Sequence, residues 1–99
     1  NALYSASKGA LISYVNCLGL ELSHKKVRVN CISPAMVMTD LIYEGGITEE
    51  QLKEDEKKYP LKRYGQPEDI AGLAVYLLSD ASKWMTGSNV KITGGVKQL

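Results

Sequence analysis

Residues 27 to 33 constrain this chain most. Val27-Arg28-Val29-Asn30-Cys31-Ile32-Ser33 is rich in β-branched residues and alternates faces, with Val27, Val29 and Cys31 on one side and Arg28, Asn30 and Ile32 on the other. It follows at once on a helical run. Ala10, Leu11, Tyr14, Val15, Leu18 and Leu22 recur at helical spacing, and Ala2, Leu3 and Ala6 carry the pattern back almost to the first residue. Ile12 and Cys17 widen the apolar face, as expected of a helix covered on two sides. A helix feeding directly into a short apolar strand is half of an α/β crossover unit. Pro34 ends the strand, because proline has no N–H to donate to a ladder.

The rest of the chain continues that pattern. Residues 40 to 47, with Gly45-Gly46, read as a flexible loop. Thr48 and Gln51 form a capping box at the start of a charged helix running to about Tyr59, which reads as an exposed lid. Pro60 to Gln66 is a connector. Pro67-Glu68-Asp69 opens another helix, with proline at its first position and acids at its positive pole. Ile70, Ala71, Leu73, Ala74, Leu77 and Leu78 are expected to form the buried stripe of that helix. Trp84 is expected to pack against it. Ser88 to Thr93 is a last strand before Gly94-Gly95. Three substantial helices and two strands result. Two strands do not make a stable parallel sheet alone, so further strands are expected from an N-terminal part or a partner chain.

Composition narrows the function. The chain has 99 residues, 44% hydrophobic and 23% charged, with formal net charge +1. That allows one globular unit with a small core and gives no electrostatic case for nucleic acid or an anionic membrane. No segment reaches the ~20 apolar residues that span a bilayer. Cys17 and Cys31 lie in apolar segments and read as small buried side chains in a reducing compartment, hence a cytoplasmic protein without a disulfide. No Cys/His cluster has metal spacing. His24 sits at a helix end, where capping is its expected role. The sequence starts at Asn1 and its helical pattern runs back almost to that residue, so there is no signal peptide to read. It reads as a truncated or processed piece.

The candidate chemistry is in Tyr4-Ser5-Ala6-Ser7-Lys8. Four residues apart on a helix, Tyr4 and Lys8 stand side by side. An ammonium held beside a phenol favours the phenolate, and such a tyrosine can exchange a proton with an alcohol or carbonyl oxygen near neutral pH. The small residues Ser5, Ala6, Ser7, Gly9 and Ala10 leave room for something bulky to approach. By itself Tyr-x-x-x-Lys is a weak motif; most such pairs are a surface lysine beside a half-buried tyrosine.

The order of motifs raises its weight. A Tyr-x-x-x-Lys helix is followed by a strand with Arg28-Val29-Asn30, Pro34 at the strand end and Thr39 five residues later. Then come a variable loop, Arg63-x-Gly65-x-Pro67-Glu68-Asp69-Ile70-Ala71, a Thr86-Gly87 strand and Gly94-Gly95. Over residues 2 to 95 this closely resembles the C-terminal part of short-chain dehydrogenases/reductases. It is most similar to the subgroup with 3-oxoacyl-carrier-protein reductases and sugar or polyol dehydrogenases.

The resemblance implies an α/β fold, the C-terminal portion of a Rossmann-type doubly wound parallel sheet. Residues 1–99 would be one segment of a single domain: 1–24 the Tyr/Lys helix, 27–33 a strand, 34–66 the nicotinamide wall and substrate lid, 67–95 the last helix and strand. It implies NAD or NADP as cofactor and a small carbonyl or alcohol substrate. Tyr4 would be the acid/base, and Lys8 would support it and bond the nicotinamide ribose. Ser33, Pro34 and Ala35 would wall the nicotinamide ring, the Val37 backbone would hold its carboxamide and Thr39 would bond the carboxamide or phosphates. The substrate lid would include Met36, Met38, Leu41, Ile42 and Tyr43. Arg28, Asn30, Arg63, Gly65 and Pro67 to Asp69 would be structural. Homodimers or homotetramers are implied.

Two departures stand out. The family's usual Pro-Gly after the strand is Pro34-Ala35 here, which demands a negative-φ turn. Its usual closing Asp-Gly-Gly is Thr93-Gly94-Gly95. The family's Gly-rich phosphate loop, cofactor-selecting residue, catalytic serine and helix asparagine would all lie before residue 1. The chain is therefore expected to carry half an active site, to be inactive alone and not to bind the cofactor alone. The alternative is a non-catalytic oligomerisation or interaction module.

Overall fold

The computed structural model describes residues 1–97. It contains α1 (Ala2–Leu22), β1 (Cys31–Pro34), α2 (Asp40–Glu44), α3 (Glu49–Glu56), α4 (Pro67–Leu78) and β2 (Asn89–Ile92), with single 3-10 turns at Ser23–Lys25 and Asp80–Ser82. β1 and β2 form a two-stranded sheet. Cys31 N–H donates to the Ser88 carbonyl at 2.8 Å and Ala35 N–H to the Ile92 carbonyl at 3.2 Å, so the register advances in the same direction on both strands. The pair is parallel, and the fold is α/β as the sequence predicts.

The chain divides into two compact units: Asn1–Ile32 with Ala74–Val90, and Ser33–Leu73 with the residues from Lys91 onward. In the first unit α1 begins under a side-chain cap, the Asn1 carboxamide oxygen accepting from Tyr4 N–H at 2.8 Å. At the other end His24 Nδ1 donates to the Glu21 carbonyl at 2.8 Å, and Lys26 takes left-handed φ of 58° to turn the chain out.

Val27 to Asn30 is extended but is not yet strand. Val29 N–H donates to Thr86 Oγ1 at 3.1 Å and the Val29 carbonyl accepts from Gly87 N–H at 2.7 Å. The hydroxyl takes the place of a ladder partner, so regular pairing begins only at Cys31. The Arg28 guanidinium is spread over three carbonyls, Met85 at 3.1 Å, Leu77 at 2.9 Å and Ser79 at 3.2 Å. Asn30 donates to Met85 and accepts from Ser88 N–H, both at 3.1 Å. Both residues hold backbone together, the structural role the resemblance implied.

Val15 and Leu77 are the buried apolar residues here, with Ser82 beneath them in exposure. Three sequence expectations fail in this unit. Leu78, expected in the buried stripe of α4, is 86% exposed. Cys17 is exposed, although both cysteines are free, and Cys31 is only half-buried. Trp84 is 98% exposed and packs against nothing. Cys17 lies on α1, which is apolar nearly all round: Leu3, Leu11, Tyr14 and Leu20 are exposed too. The 99 residues do not supply a second layer to cover it.

The second unit is built around Tyr59 and Tyr64, 7% and 2% exposed, with ring centroids 5.3 Å apart. The predicted loop at 40 to 47 contains α2, a single helical turn too short to show periodicity, which Gly46 leaves at φ of 81°. The capping box of α3 is present in full: Thr48 Oγ1 accepts from Gln51 N–H and Gln51 Oε1 from Thr48 N–H. α3 stops at Glu56, earlier than the sequence suggests. Lys58 and Tyr59 N–H donate to the Asp55 and Glu56 carbonyls, a tightening that turns Tyr59 inward.

Candidate functional site

Tyr4 and Lys8 are brought together on α1. Lys8 Nζ lies 5.9 Å from the centroid of the Tyr4 ring, within cation–π range. Tyr4 is 61% exposed while Lys8 is half-buried. The Ser7 hydroxyl donates to the Tyr4 carbonyl at 2.8 Å, so it is turned onto the helix backbone. A Cβ built at Gly9 would meet nothing within 4 Å. This face of α1 is open, as the run of small residues predicts.

The predicted nicotinamide wall lies in the second unit, at the carboxyl end of β1. In open α/β sheets, the carboxyl ends of the strands are where ligands bind. Ser33, Pro34 and Ala35 are half-buried. Ala35 is not among the residues with positive φ, so the turn that usually carries glycine is made here with ordinary backbone. Val37 pairs with Gly65 in an isolated parallel bridge: Gly65 N–H donates to the Met36 carbonyl at 2.9 Å and Met38 N–H to the Gly65 carbonyl at 2.8 Å. In such a bridge Val37 turns its own N–H and C=O to the opposite edge. Thr39 is the N-cap of α2 without a side-chain cap bond, and is exposed. Of the predicted lid residues, Met36, Leu41 and Tyr43 are exposed while Met38 and Ile42 are half-buried.

Beneath this segment is a depression of about 200 Å³ lined by Ala35, Met36, Leu61, Arg63, Gly65, Asp69, Ile70, Ile92, Thr93 and Gly94. Arg63 pairs with Asp69 at 2.7 Å, and Asp69 also accepts from Gln66 N–H at 2.7 Å. Those two donors, the guanidinium first, hold the Asp69 carboxyl down at about 2.

Sequence reasoning missed one cluster. Tyr64, in the supposed connector, gives its hydroxyl to Asp55 Oδ2 and its backbone N–H to Glu56 Oε2 at 2.9 Å. Burial, then the Asp55 carboxylate, pushes the Tyr64 phenol well above its usual range. Tyr59 is raised by burial as well, against a hydrogen bond with the Met36 backbone. The available signal was an aromatic pair, Tyr59 and Tyr64, flanking a proline in a polar stretch. Among the described residues no group of three or more His, Cys, Asp or Glu could hold a metal ion, and no helix is long and apolar enough to cross a membrane.

Comparison with known proteins identifies the family. A family model described as enoyl-(acyl carrier protein) reductase matches residues 1–97. An oxidoreductase of Methylorubrum extorquens, itself uncharacterised, is 40% identical over 98 residues, 98% of this chain and 40% of that protein. A crystal structure of a short-chain dehydrogenase family protein from Francisella tularensis superposes with a TM-score of 0.83 at 42% identity, covering 93% of this chain and 42% of the other. A structure of 4-hydroxyisoleucine dehydrogenase complexed with NADH superposes with a TM-score of 0.84 at 36% identity, covering 95% and 39%. The chain belongs to the short-chain dehydrogenase/reductase family. It spans about two-fifths of the length of these relatives, 40%, 42% and 39%.

Proposed function

We propose that the protein of which these residues form part is a nicotinamide-dependent oxidoreductase acting on a small carbonyl or alcohol, and that Tyr4 and Lys8 handle its proton. The observation that carries this is the Tyr4 ring beside the Lys8 ammonium, 5.9 Å away, on an open face of α1. Bound NAD or NADP supplies or accepts the hydride.

Tyr4 gives its phenolic proton to the substrate oxygen in reduction and takes it back in oxidation. Lys8 stabilises the phenolate that Tyr4 leaves and bonds the nicotinamide ribose. The free edge of Val37 offers one donor and one acceptor, which suits a carboxamide. The Thr39 hydroxyl is available beside it, and Ser33, Pro34 and Ala35 form an adjoining wall. Met36, Met38, Leu41, Ile42 and Tyr43 make an apolar lid that excludes water. The anchor for the cofactor pyrophosphate and the carbonyl-polarising serine come from outside these residues, so the 99-residue chain alone is inactive. The assembled enzyme is a homodimer or homotetramer in the cytoplasm.

The test is Tyr4→Phe in the full-length enzyme, with NAD(H) and NADP(H) affinity measured by calorimetry. Turnover should fall by roughly a thousandfold, the scale of a lost general acid, with cofactor affinity within a few-fold. Turnover surviving within a few-fold would remove Tyr4 from the proton path.

A further inference from the structure

The Tyr64 cluster joins three pieces of the second unit that the oxidoreductase reading treats separately. Asp55 and Glu56, in the last turn of α3, both bind Tyr64, one through its hydroxyl and one through its backbone N–H. The next residue, Gly65, is bridged on both sides to Met36–Met38. Tyr59, its ring tilted against that of Tyr64, accepts a hydrogen bond from the Met36 backbone. Tyr64 is almost wholly buried, so the contact is not a surface accident. The far oxygen of Asp55 faces Lys58 at 3.5 Å, which leaves Oδ2 to the phenol.

We propose that Tyr64 is a positioning residue that locks α3 to the Met36–Met38 segment, so that the lid helix and the cofactor-facing strand extension move as one body. Substrate contacts made by the lid are then felt at Val37 without any residue touching both. The consequence for catalysis rests on the oxidoreductase reading; the mechanical coupling does not.

Asp55→Ala cuts the lock from the α3 side and touches nothing in residues 36 to 38. Amide hydrogen exchange in the full-length protein should quicken about tenfold at Met38 and Gly65, together with α3, as the segment opens locally. Asp55→Asn keeps an acceptor for the phenol and should restore most of the protection. Tyr64→Phe should reproduce the loss. Glu54→Ala, which breaks only the Lys57 pair on the same helix, should leave Met38 and Gly65 unchanged.

In the full-length enzyme Asp55→Ala should raise the substrate KM about tenfold with kcat within about twofold, a cost of ~1.4 kcal/mol in lid closure. If Met38 and Gly65 keep their protection in both Asp55→Ala and Tyr64→Phe, the lock does not exist. If exchange responds as expected but the wild-type enzyme turns over no carbonyl or alcohol, the oxidoreductase reading fails and the lock stands.

Discussion

Gly19 of α1 faces Gly87 so closely that a Cβ at Gly19 would lie 2.7 Å from the Gly87 backbone nitrogen and 2.8 Å from its Cα. The Gly87 N–H is already engaged with the Val29 carbonyl, and its own carbonyl accepts from Asn16 Nδ2 at 3.3 Å. Gly87 also sits at φ of 68°, where a side chain is strained. α1 therefore meets the chain ahead of β2 backbone against backbone. Gly19→Ala should cost about 2 kcal/mol, the scale of overpacking in a site that cannot give. A shift of the urea midpoint without a change in slope would register it. Gly9→Ala, in open space on the same helix, should leave stability equal or slightly higher.

Arg28 satisfies the carbonyls of Leu77, Ser79 and Met85 with one guanidinium. The Leu77 and Ser79 groups lie at and just beyond the carboxyl end of α4, where orphan carbonyls collect and a cation is favoured. Ser82 Oγ adds a second donor to both. Lysine keeps the charge but loses the fork. Arg28→Lys should destabilise by roughly 1.5–3 kcal/mol, and the thermal midpoint should fall correspondingly. An unchanged midpoint would mean that water or Ser82 replaces the lost bonds.

Asp69 ties the start of α4 to Arg63 and Gln66. Its carboxyl is held at about 2, below the ordinary 3.8, so the folded state prefers the anion. That contribution is full above pH 3.8 and fades as pH falls toward about 2. Asp69→Asn should lower stability at neutral pH and flatten this part of the acid limb. Urea titrations of both proteins across that window decide it: parallel limbs would rule out Asp69 as the source.

What the sequence made legible was local. The Thr48–Gln51 capping box and the Pro67 start of α4 are written within a few residues, and both appear in the structure. The Tyr4–Lys8 pair follows from helix geometry alone. The ordered motifs identified the family. Burial was less legible, because it depends on contacts between distant segments. Cys17 lies in an apolar run and Trp84 is expected against the preceding helix, yet both are exposed. Tyr64, in a stretch that reads as a polar connector, is the most enclosed large side chain among the described residues. No local rule connects it to Asp55, nine residues back, because that bond depends on how the chain between them folds.

The exposed Trp84 gives the molecule a built-in optical reporter. It is the sole tryptophan, and it stands in water already in the folded chain. Its emission should therefore lie at the long-wavelength, fully hydrated end and barely move on unfolding. Anything that settles over this corner of the protein will shift that emission to the blue and shield it from iodide. Unfolding itself is better followed through Tyr59 and Tyr64, in the near-ultraviolet circular dichroism of their closely packed rings.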